Sequence, residues 1–115
     1  MLIIFGKKIS SNKKIRYALK EVFGIGISTA NNICNILSIS HNTKTFDLTE
    51  QQKIDISSYL KEHFLLDAML KTQIQTNIQR YIAINSVRGF RHRSKLPVRG
   101  QRTHSNGRTR KRSIN

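Results

Sequence analysis

The densest chemistry in this sequence is a run of guanidinium groups. Arg88, Arg91, Arg93, Arg99, Arg102, Arg108, Arg110 and Arg112 stand in one segment, with Lys95 and Lys111 among them and no acidic residue. Arginine presents a planar fork of donors that grips phosphate oxygens in pairs, whereas lysine acts as a point charge. Eight arginines among the ten cations from Ser86 to Asn115 therefore point to RNA recognition rather than to a generic solvated face. Left without a polyanion, charges of one sign repel one another. Gly89, Gly100 and Gly107 sit beside Arg88, Arg99 and Arg108, where a bare backbone admits close approach. The rings of Phe90 and His92 suit stacking on unpaired bases. For Phe90 the favoured reading is a different one, that it anchors the tail to the folded domain.

A second constellation lies upstream, in Val22-Phe23-Gly24-Ile25-Gly26 followed by Ala30 and Ile33-Cys34. Two glycines one residue apart predict a tight reversal with positive φ, and Ser28 is the expected N-cap of the helix that follows. Such a helix start points N–H groups and the positive end of its dipole at an anion, so Gly24, Gly26 and Ser28 are candidate phosphate contacts. The same pattern also describes a helical hairpin with no ligand. Elsewhere the residues offer no catalytic arrangement. Cys34 falls on an apolar helix face and reads as a core residue. His41, His63, His92 and His104 lack ligand spacing with Cys or acidic residues, so no metal or other cofactor is expected. Asp55, Glu62 and Asp67 read as surface or cap residues. No Ser-His-Asp set, paired carboxylates or phosphate loop is present, and no enzyme is expected.

Positioning these groups falls to helices. Ile15, Ala18, Leu19 and Val22 recur at the spacing of one helix face over Lys13–Val22, as do Ala30, Ile33, Cys34 and Leu37 after the glycines. Residues 39–46 read as a connection. Thr49-Glu50-Gln51-Gln52 has the capping-box pattern, opening a helix that carries Ile54, Ile56, Leu60 and Phe64. Asp67 is the expected cap of the longest helix, with Leu70, Ile74, Ile78 and Ile82 at four-residue intervals and its end near Asn85. Beyond Asn85 periodicity stops, and high charge with few apolar residues predicts an extended tail ordered only by a partner. The expectation is thus an all-α protein in two parts: a helical globular domain over 1–85 and a basic tail over 86–115.

Charge divides at the same place. The chain has 115 residues and a net charge of +15. That excess is far beyond what solubility needs, and two thirds of it falls in the last thirty residues. One cysteine rules out an internal disulfide framework. No apolar run approaches the roughly 20 residues of a membrane span, and no membrane partner is expected. The start lacks both a secretory h-region and an arginine-rich presequence, so the chain is expected either to act in the compartment of synthesis or to have been trimmed already. Abundant Ile, Asn, Lys and Ser with scarce Ala and Pro suggest an AT-rich coding genome, as in many organelles.

The segment from Arg88 to Thr103, RGFRHRSKLPVRGQRT, resembles the signature of the thirteenth protein of the bacterial small ribosomal subunit. Thr103–Lys111 continues the match in register, and Phe23-Gly24-Ile25-Gly26 lies at the expected distance upstream. The resemblance covers nearly the whole chain. It implies a helix-two-turns-helix domain, a long helix and an extended tail, in the head of the small subunit beside small-subunit protein nineteen. It further implies binding to head rRNA, bridges to the large subunit including its protein five, and a tail directed toward the peptidyl-site tRNA. By that resemblance, the stretch Arg88–Arg102, with His92, Lys95, Arg99 and Gly100, follows rRNA. Asn106, Arg108, Arg110, Lys111 and Arg112 match the part nearest the tRNA. The chain departs from the family at Lys8-Ile9-Ser10, where a proline is usual, and at Met69-Leu70-Lys71, where an arginine pair is usual. Its tail is also a few residues short of many members. The expected setting is a ribosome, organelle-encoded and mitochondrial, with bacterial cytoplasm or plastid as alternatives. DNA is not an expected partner, although the Gly24–Gly26 hairpin by itself would also suit a DNA-binding helix-hairpin-helix module.

Overall fold

Phe5 and Gly6 have φ of 49° and 76°, the backbone of a tight turn with both central residues in the left-handed region. In the computed structural model, which describes residues 1–112, this turn joins β1 (Ile3–Ile4) to β2 (Lys7–Lys8) in antiparallel register, Ile3 opposite Lys8 and Ile4 opposite Lys7. The last three positions of the expected tail, 113–115, lie outside the described residues. The alternation of strands sends Leu2 and Ile4 inward and leaves Ile3 exposed. From the sequence this segment reads only as a short apolar start. The hairpin is a small addition to a mostly helical fold.

The first expected helix is shorter than its periodicity suggests. Lys14 is extended and pairs with Lys44, while Ile15 N donates to Thr43 O and Thr45 N donates to Lys13 O. These backbone bonds hold Lys13 and Lys14 out of the helix, so α1 covers only Ile15–Ala18 before tightening into a 3₁₀ turn at Leu19–Glu21. Thr45, fully buried, uses its hydroxyl as well as its N–H on Lys13 O. The reversal through Gly24 leads to α2 (Ile27–Ile36), which buries Ala30, Ile33 and Cys34 as the spacing predicts. Helix α2 ends in a Schellman motif. Ile39 N donates to Cys34 O, Ser38 N donates to Asn35 O, and Ser38 takes φ of 53°.

Thr49 forms the capping box with Gln52 and starts α3 (Glu50–His63). Ile56 and Leu60 are buried from this helix, but Ile54 is exposed. It lies two residues from Ile56, about 200° around the helix, and so belongs to the opposite face. Asp67 does not cap the next helix. It is the first residue of α4 (Asp67–Ala83), with φ of 48°, and its carboxylate pairs with Lys71. At 17 residues α4 is the longest helix, yet it buries none of its side chains fully. Of its expected stripe, Leu70, Ile78 and Ile82 are half-buried and Ile74 is exposed.

The chain divides into two compact units, one from Met1 to Lys71 and one from Thr72 onward. The change in composition at Asn85 falls inside the second. All sixteen buried apolar side chains of the described residues belong to the first unit, from Leu2 to Leu66. Burying them is the main source of that unit's stability. In the second unit only Gly89 is fully buried among the described residues.

A polar cluster fastens the start of the first unit. Ser10 donates to the Glu21 carboxylate from both N (3.2 Å) and Oγ (2.6 Å), Lys13 Nζ lies 2.7 Å from it, and Lys7 Nζ donates to Glu21 O. The Lys13 and Ser10 bonds hold the Glu21 carboxyl down at about 2. A depressed carboxylate stabilises the fold above its unfolded pKa, and that contribution fades as pH falls toward the folded value. The urea midpoint should therefore drop between about pH 4.5 and 2. Glu21→Gln should be less stable at neutral pH, with the two midpoints converging near pH 2. Parallel curves across that range would show that the cluster contributes nothing.

Candidate nucleic-acid interface

Among the described residues the second unit buries no apolar side chain fully, so hydrogen bonds at helix ends position its cations. Helix α4 stops in a Schellman motif, with Ser86 N donating to Tyr81 O, Asn85 N to Ile82 O, and Asn85 at φ of 55°. Asparagine tolerates that conformation better than most residues. Ser86 then caps α5 (Val87–Arg93) by accepting from Gly89 N at 3.0 Å, and its own hydroxyl donates to Tyr81 O at 2.8 Å. One serine side chain thus links the end of α4 to the start of α5. Gly89 completes the joint. A Cβ built on it would lie 2.1 Å from Tyr81 O and 2.4 Å from Tyr81 C, so only glycine fits.

This geometry corrects two expectations. The segment after Asn85 is not wholly extended, because α5 and the short α6 (Arg108–Arg112) lie within it. Helix α5 is held by a local cap, Ser86, that a search for apolar stripes does not weigh. Gly89 does not open the backbone to a ligand either; the space beside it is filled by Tyr81. Gly100, with φ of 71° and no atom within 4 Å of where a Cβ would lie, does leave its backbone open. Gly107, at φ of 85°, turns the chain into α6 against the Pro97 ring.

Along α5 and beyond, the expected side chains fall into distinct settings. Arg88 is exposed, with its guanidinium 5.0 Å from the Tyr81 ring centroid. Arg93 lies 5.9 Å from the centroid of Phe90, which is 53% exposed and so free to stack on a base. Arg91 turns inward, and its Nε donates to Pro97 O. Helix α5 closes with a second Schellman motif, in which Lys95 takes φ of 55° and Leu96 N donates to Arg91 O.

His92 and Arg110 approach to 3.3 Å, the His92 Nδ1 facing an Arg110 terminal nitrogen. Arginine can only donate there, so His92 accepts as a neutral ring. Burial, then the charges of Arg110 and Arg88, push the His92 pKa below its ordinary value. Both residues line an open cleft of about 610 Å³ with Arg99, Arg102, Asn106 and Thr109. Lys111, Arg112 and Arg108 are exposed on α6. No residue after Asp67 is acidic, so no acidic side chain within the second unit neutralises these charges.

The upstream hairpin belongs to the first unit. Gly24 has φ of 106°, and a Cβ there would meet Leu70 Cδ2 at 2.7 Å and Leu66 Cδ2 at 2.9 Å. Gly26, at φ of −94°, is an ordinary extended N-cap to α2, so Ser28 is not the cap but an exposed residue of the first turn. Cys34 is buried within the core, and burial pushes its thiol pKa up. Among the described residues no group of three His, Cys, Asp or Glu side chains is placed to hold a metal ion, and no helix is long and apolar enough to cross a membrane. One cation of the second unit lies outside the segment singled out from sequence. Arg80, on α4, has its guanidinium 4.8 Å from the same Tyr81 ring that Arg88 covers. The signal for it is the acid-free run itself, which begins after Asp67 rather than at Ser86.

Comparison with known proteins adds an independent finding. The profile of a family described as ribosomal protein S13/S18 matches residues 3–109. The chain is 42% identical over 109 residues to small ribosomal subunit protein uS13m of Marchantia polymorpha, covering 95% of this chain and 91% of that one. It is 41% identical over 111 residues to small ribosomal subunit protein uS13 of Petrotoga mobilis, covering 96% and 92%.

The α4–α5 joint yields a signed prediction. Alanine favours a helix over glycine by about 1 kcal/mol, which argues that Gly89→Ala should stabilise α5. The clash with Tyr81 O is with rigid backbone, and overpacking of that kind costs about 1–3 kcal/mol, so the clash wins. Gly89→Ala should lose helical circular dichroism and amide protection over residues 86–93. A variant as helical and as protected as the parent would contradict the packing described here.

Proposed function

The chain belongs to the ribosomal protein S13/S18 family, and from that premise we propose that it is a structural, non-enzymatic constituent of the small ribosomal subunit that binds its rRNA. The observation that carries the reading is the acid-free unit. Arginine side chains project from α5, α6 and the segment between them with no acidic side chain of their own unit to pair with, which is the electrostatic footprint of a backbone-binding protein. Arg88, Arg93, Lys95, Arg99 and Arg102 contact phosphates of the subunit head in this reading. Arg91 contributes its remaining donors beside the bond to Pro97, and His92 and Gly100 lie along the same path. Gly89 drops out of the contact set, being filled by Tyr81.

The proposal extends to the neighbours that the family resemblance implies. Asn106, Arg108, Arg110, Lys111 and Arg112 form the part nearest the peptidyl-site tRNA. Small-subunit protein nineteen lies alongside, and large-subunit protein five is met across the subunit interface. The start of α2, at Gly24, Gly26 and Ser28, is a second phosphate contact, since the first N–H groups of a helix have no intrahelical acceptor. The ribosome is a mitochondrial one in this proposal, supported by the AT-type composition and the match to uS13m.

Sedimentation tests the reading. The chain should co-migrate with small subunits and intact ribosomes in a mitochondrial extract and be released by ribonuclease. Replacing Arg88, Arg91 and Arg93 together by Gln should block incorporation into subunits while the core of the first unit stays folded. Normal incorporation of the triple variant, or migration as free protein in the untreated extract, would overturn the assignment.

A further inference from the structure

Arg80 and Arg88 come from different helices, yet both guanidiniums lie over one ring, 4.8 and 5.0 Å from the Tyr81 centroid. We propose that Arg80, Tyr81 and Arg88 form a preorganised clamp for RNA backbone phosphates, extending the binding surface onto α4. The inference rests on the rRNA-binding reading and adds to it Arg80, outside the arginine-rich segment, and a positioning role for Tyr81.

Local structure brings the pair together. Arg80 reaches the ring from the neighbouring position on α4. Arg88 is brought back to it by the joint between the helices, where Ser86 binds Tyr81 O and Gly89 packs against that same carbonyl. The ring is half-buried and both arginines are exposed. The negative face of an aromatic ring attracts a guanidinium, by about 0.5–1 kcal/mol at exposed sites. That biases two long side chains toward one geometry but does not cancel two positive charges. No acidic residue of the second unit is available to do so. A guanidinium over a ring keeps its N–H edges free, and those edges match pairs of phosphate oxygens. Fixing the side chains beforehand lowers the entropy cost of ordering them on binding. The same absence of acids excludes a salt bridge to an acidic side chain of the unit for both arginines.

The test uses the full chain and a transcript of the small-subunit rRNA, with affinity measured over a series of KCl concentrations. Each lost phosphate contact flattens the plot of log affinity against log salt by roughly 0.7–0.9. Arg80→Gln and Arg88→Gln should each flatten it by about one such step, with helical content unchanged. Tyr81→Phe should match the parent. Tyr81→Leu, which keeps both charges but removes the ring, should weaken binding severalfold and leave Phe at that position as the conservative rescue. Parental affinity and slope in Arg80→Gln would overturn the clamp while leaving rRNA binding intact. Parental behaviour of Tyr81→Leu would overturn the role of the ring. A parent chain whose affinity does not respond to salt would overturn the rRNA reading and the clamp with it.

Discussion

Like-charge repulsion sets the terms on which the second unit is built. From Ala68 onward the sequence has no acidic residue, while Lys71, Arg80 and the ten cations after Ser86 share that stretch. Such a segment cannot gather a core, because its charged side chains must stay in water and its few apolar ones are too small a minority. What order it has comes from hydrogen bonds made at helix ends. Asn85 and Lys95 accept left-handed backbone to close α4 and α5, and the Ser86 side chain serves both helices at once. Arg91 and Arg110 spend part of their donor capacity on Pro97 O and His92. The unit has no acidic side chain to offset its positive charge, and in the proposed function it is the rRNA backbone that balances it.

The first unit is built on the opposite principle. Its buried side chains come from the elements between β1 and the start of α4, and Gly24 is required where α4 begins because Leu66 and Leu70 occupy the place of its side chain. Three of its six acidic residues are spent locally: Glu21 on Ser10 and Lys13, Glu50 on Lys53, Asp67 on Lys71. A core that satisfies itself can fold before any partner arrives, and a charged unit joined to it can then bind without carrying the cost of folding the rest.

Legibility in the sequence follows the kind of force involved. The α2 face of Ala30, Ile33 and Cys34 is readable because burial leaves a periodic trace, and the Thr49 box because capping has a fixed spacing. The β1–β2 hairpin is not, since its turn of Phe5-Gly6 lacks the usual Asn or Asp before glycine. Helix α1 falls short of its apolar pattern because that spacing says nothing of the backbone bonds that Lys13 and Lys14 make to residues 43–45. Helix α5 is hidden by its charge, although Ser86 three residues before Gly89 is a cap signal once the joint is seen. At the interface, residue types are legible and their settings are not. Nothing in the sequence distinguishes Arg91, engaged with Pro97, from the exposed Arg93, or reveals that Gly89 faces inward.

The central claim is that the acid-free unit is the main place where the chain meets RNA, with the first unit adding only the start of α2. Amide hydrogen exchange of the full chain, free and bound to small-subunit rRNA, tests it most directly. Protection should rise on binding across 86–112 and along the second half of α4, while the α3 amides and those in the interior of α2 stay as they were. Protection gained only within the first unit would contradict the account.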